Sequence, residues 1–237
     1  MEGICEFSHA GGEGKFAGLI VPSAAQLNIY PAAQESARSF STNDLLTTVT
    51  QVRQLKPEPA SLGIPAKITG VVIAATSTSL VLQDASGGVF ISFSAADSAD
   101  QPAMGQFWEV EGRTGSGDFS PIILAGTAKF LGSAAMPEPI RPTRDQLMNG
   151  SLDAEYVELH GVVTAVSNSE MTLLTPDGKL TVRGEDARPL PQMSASALAG
   201  GMVGNVVRMR GCFTTDWNRQ TRQVNGGAFF LFPAVAA

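Results

Sequence analysis

Ile68-Thr69-Gly70-Val71-Val72-Ile73-Ala74 returns as Leu159-His160-Gly161-Val162-Val163-Thr164-Ala165, at an offset of 91 that carries Gly70 onto Gly161. The same offset pairs Leu80 with Met171, Leu82 with Leu173, Gly87 with Gly178 and Ile91 with Val182. Further on it widens to 99, setting Gly105 on Gly204, Val110 on Met209 and Gly112 on Gly211, so the second copy has gained eight residues. An ordered series of matches at a nearly fixed spacing marks an internal repeat, and a repeat constrains the fold before any single residue does.

Within the quoted stretch Ile68, Gly70, Val72 and Ala74 fall on one face and Lys67, Thr69, Val71 and Ile73 on the other, the period of a strand. Each copy reads as five short strands, at residues 66–75, 79–83, 89–93, 106–113 and 121–131, then 156–166, 170–175, 179–183, 204–212 and 222–232. Asp84-Ala85-Ser86-Gly87-Gly88 and Pro176-Asp177-Gly178 supply turn residues between the second and third strands. The inserted residues 184–203 include Met193 to Ala199, which read as one or two helical turns in the place where an OB barrel carries its helix. Five strands in about 70 residues fit a small Greek-key barrel. An immunoglobulin-like sandwich wants ~7 strands in ~100 residues. The expected fold is mainly β, with two tandem OB-like five-stranded Greek-key barrels.

A short helix precedes each barrel. Ser41-Thr42-Asn43-Asp44 opens a run with Leu45, Leu46, Val49, Val52 and Leu55 at helical spacing, which Pro57 is expected to stop. Thr143-Arg144-Asp145-Gln146 has the form of a capping box and leads into Leu147-Met148 before Asn149-Gly150. The expected organisation is a poorly ordered arm over 1–40, helix and first barrel over 41–132, a semi-rigid Pro-rich linker over 133–142, and helix and second barrel over 143–237. Lys15 to Ile20 is the one part of the arm that reads as a strand, an added edge.

Composition narrows the function. Sixteen Lys and Arg against twenty-two Asp and Glu give a net charge of −6, which disfavours a general phosphate-backbone binder. That charge is uneven: residues 63–132 carry three bases and six acids, and residues 154–233 seven of each. No stretch approaches ~18 consecutive apolar residues, and the N-terminus lacks the basic-then-apolar pattern of a signal peptide. Cys5 and Cys212 share no metal or redox spacing, so Cys212 is expected as a small buried hydrophobe and Cys5 as incidental.

No complete catalytic motif is present. His160 lies beside Glu158 on the outward face of a strand without a nucleophile partner. Gly112, Gly115 and Gly117 match neither a dinucleotide fingerprint nor a P-loop, and Asp97, Asp100 and Asp118 do not form a calcium-loop series. No enzyme activity, metal or cofactor is expected. OB barrels bind through the loop between strands four and five. There the first copy offers Arg113, Asp118 and Phe119, and the second Asp216, Trp217 and Arg219 beside Asn218. An Asp followed by an aromatic recurs in both. It reads either as an aromatic platform with an acidic rim for a sugar, peptide or small organic ligand, or as a ring plugging the barrel end above an Asp that caps the turn. On strand four the offset of 99 sets Glu109 on Arg208 and Glu111 on Arg210. With Arg183, Arg208 and Arg210 are expected to form a basic patch, facing acidic surface of the first barrel or of a neighbouring chain, or else solvent.

Leu55-Lys56-Pro57-Glu58-Pro59-Ala60-Ser61-Leu62-Gly63-Ile64-Pro65-Ala66-Lys67-Ile68-Thr69-Gly70-Val71-Val72 resembles the opening of OB-like sensor modules in bacterial signalling proteins. Leu82 to Ile91 and Val110 to Pro121 carry the same resemblance, which extends over residues 45–233 and is weaker in the second barrel. In that family tandem barrels stand, exported, ahead of a membrane helix and a histidine kinase or diguanylate cyclase. The resemblance implies an extracytoplasmic, non-enzymatic module that senses an unidentified ligand or protein partner for signal transduction. The alternative is single-stranded nucleic-acid binding through the second barrel, with the Arg patch tracking phosphate and Trp217 stacking a base.

Overall fold

Alternating apolar residues close two sheets on themselves in a computed structural model, which describes residues 4–10, 13–20, 41–76, 78–93, 102–167, 170–176, 178–183, 201–218, 220 and 223–233. Strands β1 (Ile4–Ala10) and β2 (Glu13–Ile20) form an antiparallel hairpin within a separate unit, Met1–Ser39. Lys15 to Ile20 is thus a strand as its sequence suggests, but it pairs with β1, which the sequence reading did not foresee.

The first barrel consists of β3 (Pro65–Ala75), β4 (Ser79–Asp84), β5 (Gly87–Ser92), β6 (Gln106–Gly115) and β7 (Ile122–Ser133), closed in the order β3-β4-β5-β7-β6. The second repeats that order with β8 (Tyr156–Val166), β9 (Glu170–Thr175), β10 (Gly178–Arg183), β11 (Val206–Asn218) and β12 (Gln223–Pro233), closed as β8-β9-β10-β12-β11. In both, the third and fifth strands pair in parallel and the other neighbours are antiparallel.

The repeated glycine has a steric cause. A Cβ on Gly70 would stand 2.5 Å from the Gln83 carbonyl oxygen and run into the Leu82 side chain. On Gly161 it would stand 2.9 Å from the Leu174 oxygen. The first strand of each barrel coils tightly over the second, and both pairings carry a register shift just beyond, at Val72/Ala74 and Val163/Ala165. Each barrel has its own core: Ile68, Val72, Leu82, Ile91, Trp108 and Val110 among others in the first, and Leu159, Val163, Leu173, Val182 and Phe213 in the second.

The lead-in helices differ in detail from the sequence reading. Helix α1 (Val49–Arg53) starts later than the apolar run, because Thr48 is its N-cap and Gln51 closes the capping box. Leu46 forms a bridge with Ala66 on β3 instead. Pro57 does not stop a helix but opens one, α2 (Pro57–Ala60), at the first-turn position where its missing N–H costs nothing. The second capping box is found as expected, with Thr143 and Gln146 at the start of α3 (Arg144–Met148). Residues 193–199 lie outside the described residues.

A third apolar cluster joins the barrels. Ile73, Ala74 and Val81 from the outer surface of the first meet Ala154, Tyr156 and Cys212 of the second, and Phe90 and Met136 pack against them. Arg53 fastens the same seam: its guanidinium donates to Glu155 Oε1 at 2.7 Å and to the carbonyls of Asp153 and Ser151 at 2.9 and 3.1 Å. Gln83 Oε1 accepts from the Tyr156 amide at 3.1 Å. Gly88 lies so close under the Ala154 carbonyl that any Cβ there would overlap it. The linker is pinned as well, Ile140 bridging to Val157 in parallel.

Candidate functional site

The segments that follow strand four in the first barrel and end it in the second meet across this seam. In the first barrel the chain turns through Gly117, which has φ +60°, into Asp118-Phe119-Ser120. In the second, β11 continues six residues beyond the expected end at Cys212, because Thr214, Thr215 and Trp217 keep pairing with β12. The ladder shifts register between Thr215 and Trp217, where the one β11 residue, Asp216, stands opposite four residues of β12, 225–228, which carry the bulge. Bulges re-aim side chains at such places. Asp216 and Trp217 therefore stand on a strand end, where a loop was expected.

Phe119 and Trp217 meet edge to face with ring centroids 5.7 Å apart. Both are half-buried, and the Phe119 ring also lies over Gly150 of the second barrel. Phe119 thus crosses to the neighbouring barrel and does not plug its own. The two rings line a groove of about 590 Å³ together with Phe90, Asp118, Asp153 and Asp216. This volume lies in the range of small-molecule sites, roughly 300–1,000 Å³.

Asp153 forms the buried base of the groove. Its carboxylate accepts from Ser120 Oγ at 2.7 Å on one oxygen and from the Thr215 amide at 2.9 Å on the other, so it ties the two groove-forming segments together. Burial pushes its pKa up, against the lowering effect of these hydrogen bonds and of Arg53. Thr215 Oγ1, buried at the same wall, makes no well-formed hydrogen bond to the described residues, although the Thr215 side chain lies close enough to the Asp153 carboxylate to lower its pKa.

The charged positions of strands one and four take a different arrangement from the expected inter-barrel patch. In the first barrel Lys67 sits between Glu111 and Glu109, at 2.7 and 3.1 Å. The Glu111 and Glu109 carboxylates hold the Lys67 ammonium above its ordinary pKa, in that order of effect. In the second barrel the signs are exchanged. Glu158, whose side chain is wholly shielded, accepts from Arg210 Nε at 2.6 Å and Arg141 Nε at 2.9 Å, with His160 Nε2 at 2.8 Å and Arg208 Nε at 4.0 Å. The Arg210 bond chiefly, against burial and helped by His160 and Arg141, brings its pKa down to about 2. Of the surfaces expected to face Arg208 and Arg210, the first barrel's Glu109 and Glu111 pair with Lys67 of their own barrel instead, while Glu158 and the linker's Arg141 take up the arginine side. The offset of 91 sets Lys67 on Glu158, so the exchange of charge is readable from strand one as well as strand four.

Of the other expected site residues, Arg113 stands apart from the groove and donates to the Gly63 carbonyl at 2.9 Å, bracing the turn into β3. Arg219 and the Arg183 side chain lie outside the described residues. Asp153, Thr215 and Phe90 were missed, since nothing in their local sequence distinguishes them. Cys212 is buried, as expected. Among the described residues no group of His, Cys, Asp or Glu has the arrangement of a metal site, and no helix is long and apolar enough to cross a membrane.

No family model and no curated protein matches the chain. Solved structures that match parts of the chain include the hypothetical protein ygiW from E. coli, at 14% identity over 38% of this chain and 94% of that one, with a TM-score of 0.31. The S. pombe Stn1-Ten1 complex matches at 19% identity over 28% of this chain and 57% of that one, with a TM-score of 0.24. Asparaginyl-tRNA synthetase from Pyrococcus horikoshii, complexed with asparaginyl-adenylate, matches at 12% identity over 65% of this chain and 45% of that one, with a TM-score of 0.32. The chain thus spans about half the length of the latter two.

Proposed function

We propose that the two barrels are OB-like Greek-key units acting together as a non-enzymatic module that binds a small neutral or cationic ligand, such as a sugar or short peptide, in the groove between them. The observation that carries this reading is the convergence of two Asp-aromatic pairs, ninety-eight positions apart from Phe119 to Trp217, on a single groove. Aromatic faces favour the apolar surface of a sugar ring or a cation. Asp118, Asp153 and Asp216 favour hydroxyl or ammonium donors and disfavour phosphate. The closed strand order is compatible with an OB barrel, and the sequence resemblance supports a sensor role in an extracytoplasmic bacterial signalling protein, coupled to a kinase or cyclase.

The nucleic-acid alternative draws on the arginines around Glu158. Trp217 stands seven residues along β11 from Arg210, roughly 23 Å at strand rise, and Arg210 does not line the groove that Trp217 lines, so phosphate tracking and base stacking do not share a site. A panel of monosaccharides, disaccharides, di- and tripeptides and a deoxythymidine oligomer, read by thermal shift, separates the readings. At a hundred times its Kd a ligand stabilises by about 2.7 kcal/mol, which moves Tm by roughly 5–10 °C. A shift from a sugar or peptide that Trp217→Ala abolishes supports the groove. Salt-sensitive binding of the oligomer alone overturns it.

A further inference from the structure

We infer that the second barrel carries a separate site for a compact oxyanion on a small apolar body, an aryl phosphate or carboxylate, in the pocket between Arg141 and His160. The pocket, of about 240 Å³, is floored by the buried Leu147, Leu159 and Leu180 and shares no lining residue with the inter-barrel groove.

Its charge comes from an excess of cations around one carboxylate. Glu158 faces Arg141, Arg208 and Arg210, and Glu138 also acts on Arg210, which leaves the cluster at +1 before His160 is counted. Arg210 and Arg208 approach through one carboxylate oxygen, Oε2; Arg141 and His160 approach through the other, Oε1, from the pocket side. Both Arg141 and Arg210 contact Glu158 through Nε alone. A guanidinium has five donor hydrogens, so the terminal nitrogens of Arg141 keep theirs. Arg141 and His160 make no other hydrogen bond or ion pair to the described residues, and their side chains are 74% and 51% exposed. Arg144, whose guanidinium lies over Gly178, also lines the pocket. Glu158 acts as a positioning residue: it fixes the orientation of the cations while its own charge is offset by Arg210. The equivalent place in the first barrel has the reverse balance, one Lys67 between two glutamates, so the site belongs to the second copy alone.

The test is an NMR titration of the full chain with phenyl phosphate and, separately, phenylacetate, at low ionic strength, following the His160 ring and the Leu147 and Leu180 methyls. Saturable shifts with one or both probes are expected, the stronger binder identifying the oxyanion. Arg141→Gln leaves Glu158 bound to Arg210 and His160, so Tm should hold while affinity falls at least about tenfold, the loss of one charge-assisted hydrogen bond. His160→Gln provides the second variant, and Trp217→Ala should leave this binding unchanged. Shifts that fail to saturate by ~20 mM of either probe, or an affinity that neither Arg141→Gln nor His160→Gln alters, overturns the site.

Discussion

Two of the carboxylates buried in the second barrel, Asp153 and Glu158, respond to acid in opposite senses. Glu158 is held at about 2 from an ordinary 4.5 by Arg210, His160 and Arg141. Its stabilising effect is therefore complete above about pH 4.5 and disappears as the pH falls through about 2. Urea midpoints measured from pH 5 to pH 2 should fall more steeply for the wild type than for Glu158→Gln; parallel profiles would contradict the shielding. Asp153 has its pKa raised by burial, so the folded state binds its proton more tightly. Relative to Asp153→Asn, the wild type should lose stability as the pH rises from 3.8 through the raised value. The comparison isolates this slope from any constant loss due to the hydrogen bonds with Ser120 and Thr215.

At the scale of elements, the repeated glycine separates steric need from turn preference. Gly70→Ala places a methyl against a neighbouring backbone carbonyl and should cost about 1–3 kcal/mol in denaturant unfolding, with Gly161→Ala costing less because its approach is longer. Thr143→Ala removes the hydroxyl that accepts the Gln146 amide and should cost about 1 kcal/mol. Both glycines and this cap were legible in the sequence, because a strand repeat and a capping box are local patterns. The extension of β11 was not: Thr214, Thr215 and Asp216 are polar and lack strand alternation, and their pairing is supplied by β12. Pro57 misled for a related reason. A proline after an apolar run reads as a stop, yet its fixed φ equally suits the first turn of a new helix.

The barrel pair behaves as one body through the seam at Arg53, Gly88 and Ala154. Calorimetry of the wild type should give a single cooperative transition for the barrels. Arg53→Ala removes charge-assisted bonds to Glu155 and to two carbonyls and should cost about 1.5–3 kcal/mol. Gly88→Ala forces the barrels apart at the Ala154 carbonyl and should split the transition in two. Ile73 hinted at this seam as an apolar residue on the outward face of a strand, but its partners Tyr156 and Cys212 are far along the chain and no period links them. The groove was half-legible in the same way. Its Asp-aromatic pairs could be found in each copy separately, whereas their meeting depends on how two barrels pack. Isothermal titration of the strongest sugar or peptide ligand from the panel against wild type, Trp217→Ala and Arg141→Gln tests the central claim most directly. Binding should weaken at least about tenfold in Trp217→Ala, through loss of the stacking surface, and stay unchanged in Arg141→Gln. Undiminished binding by Trp217→Ala would contradict the inter-barrel groove as the ligand site.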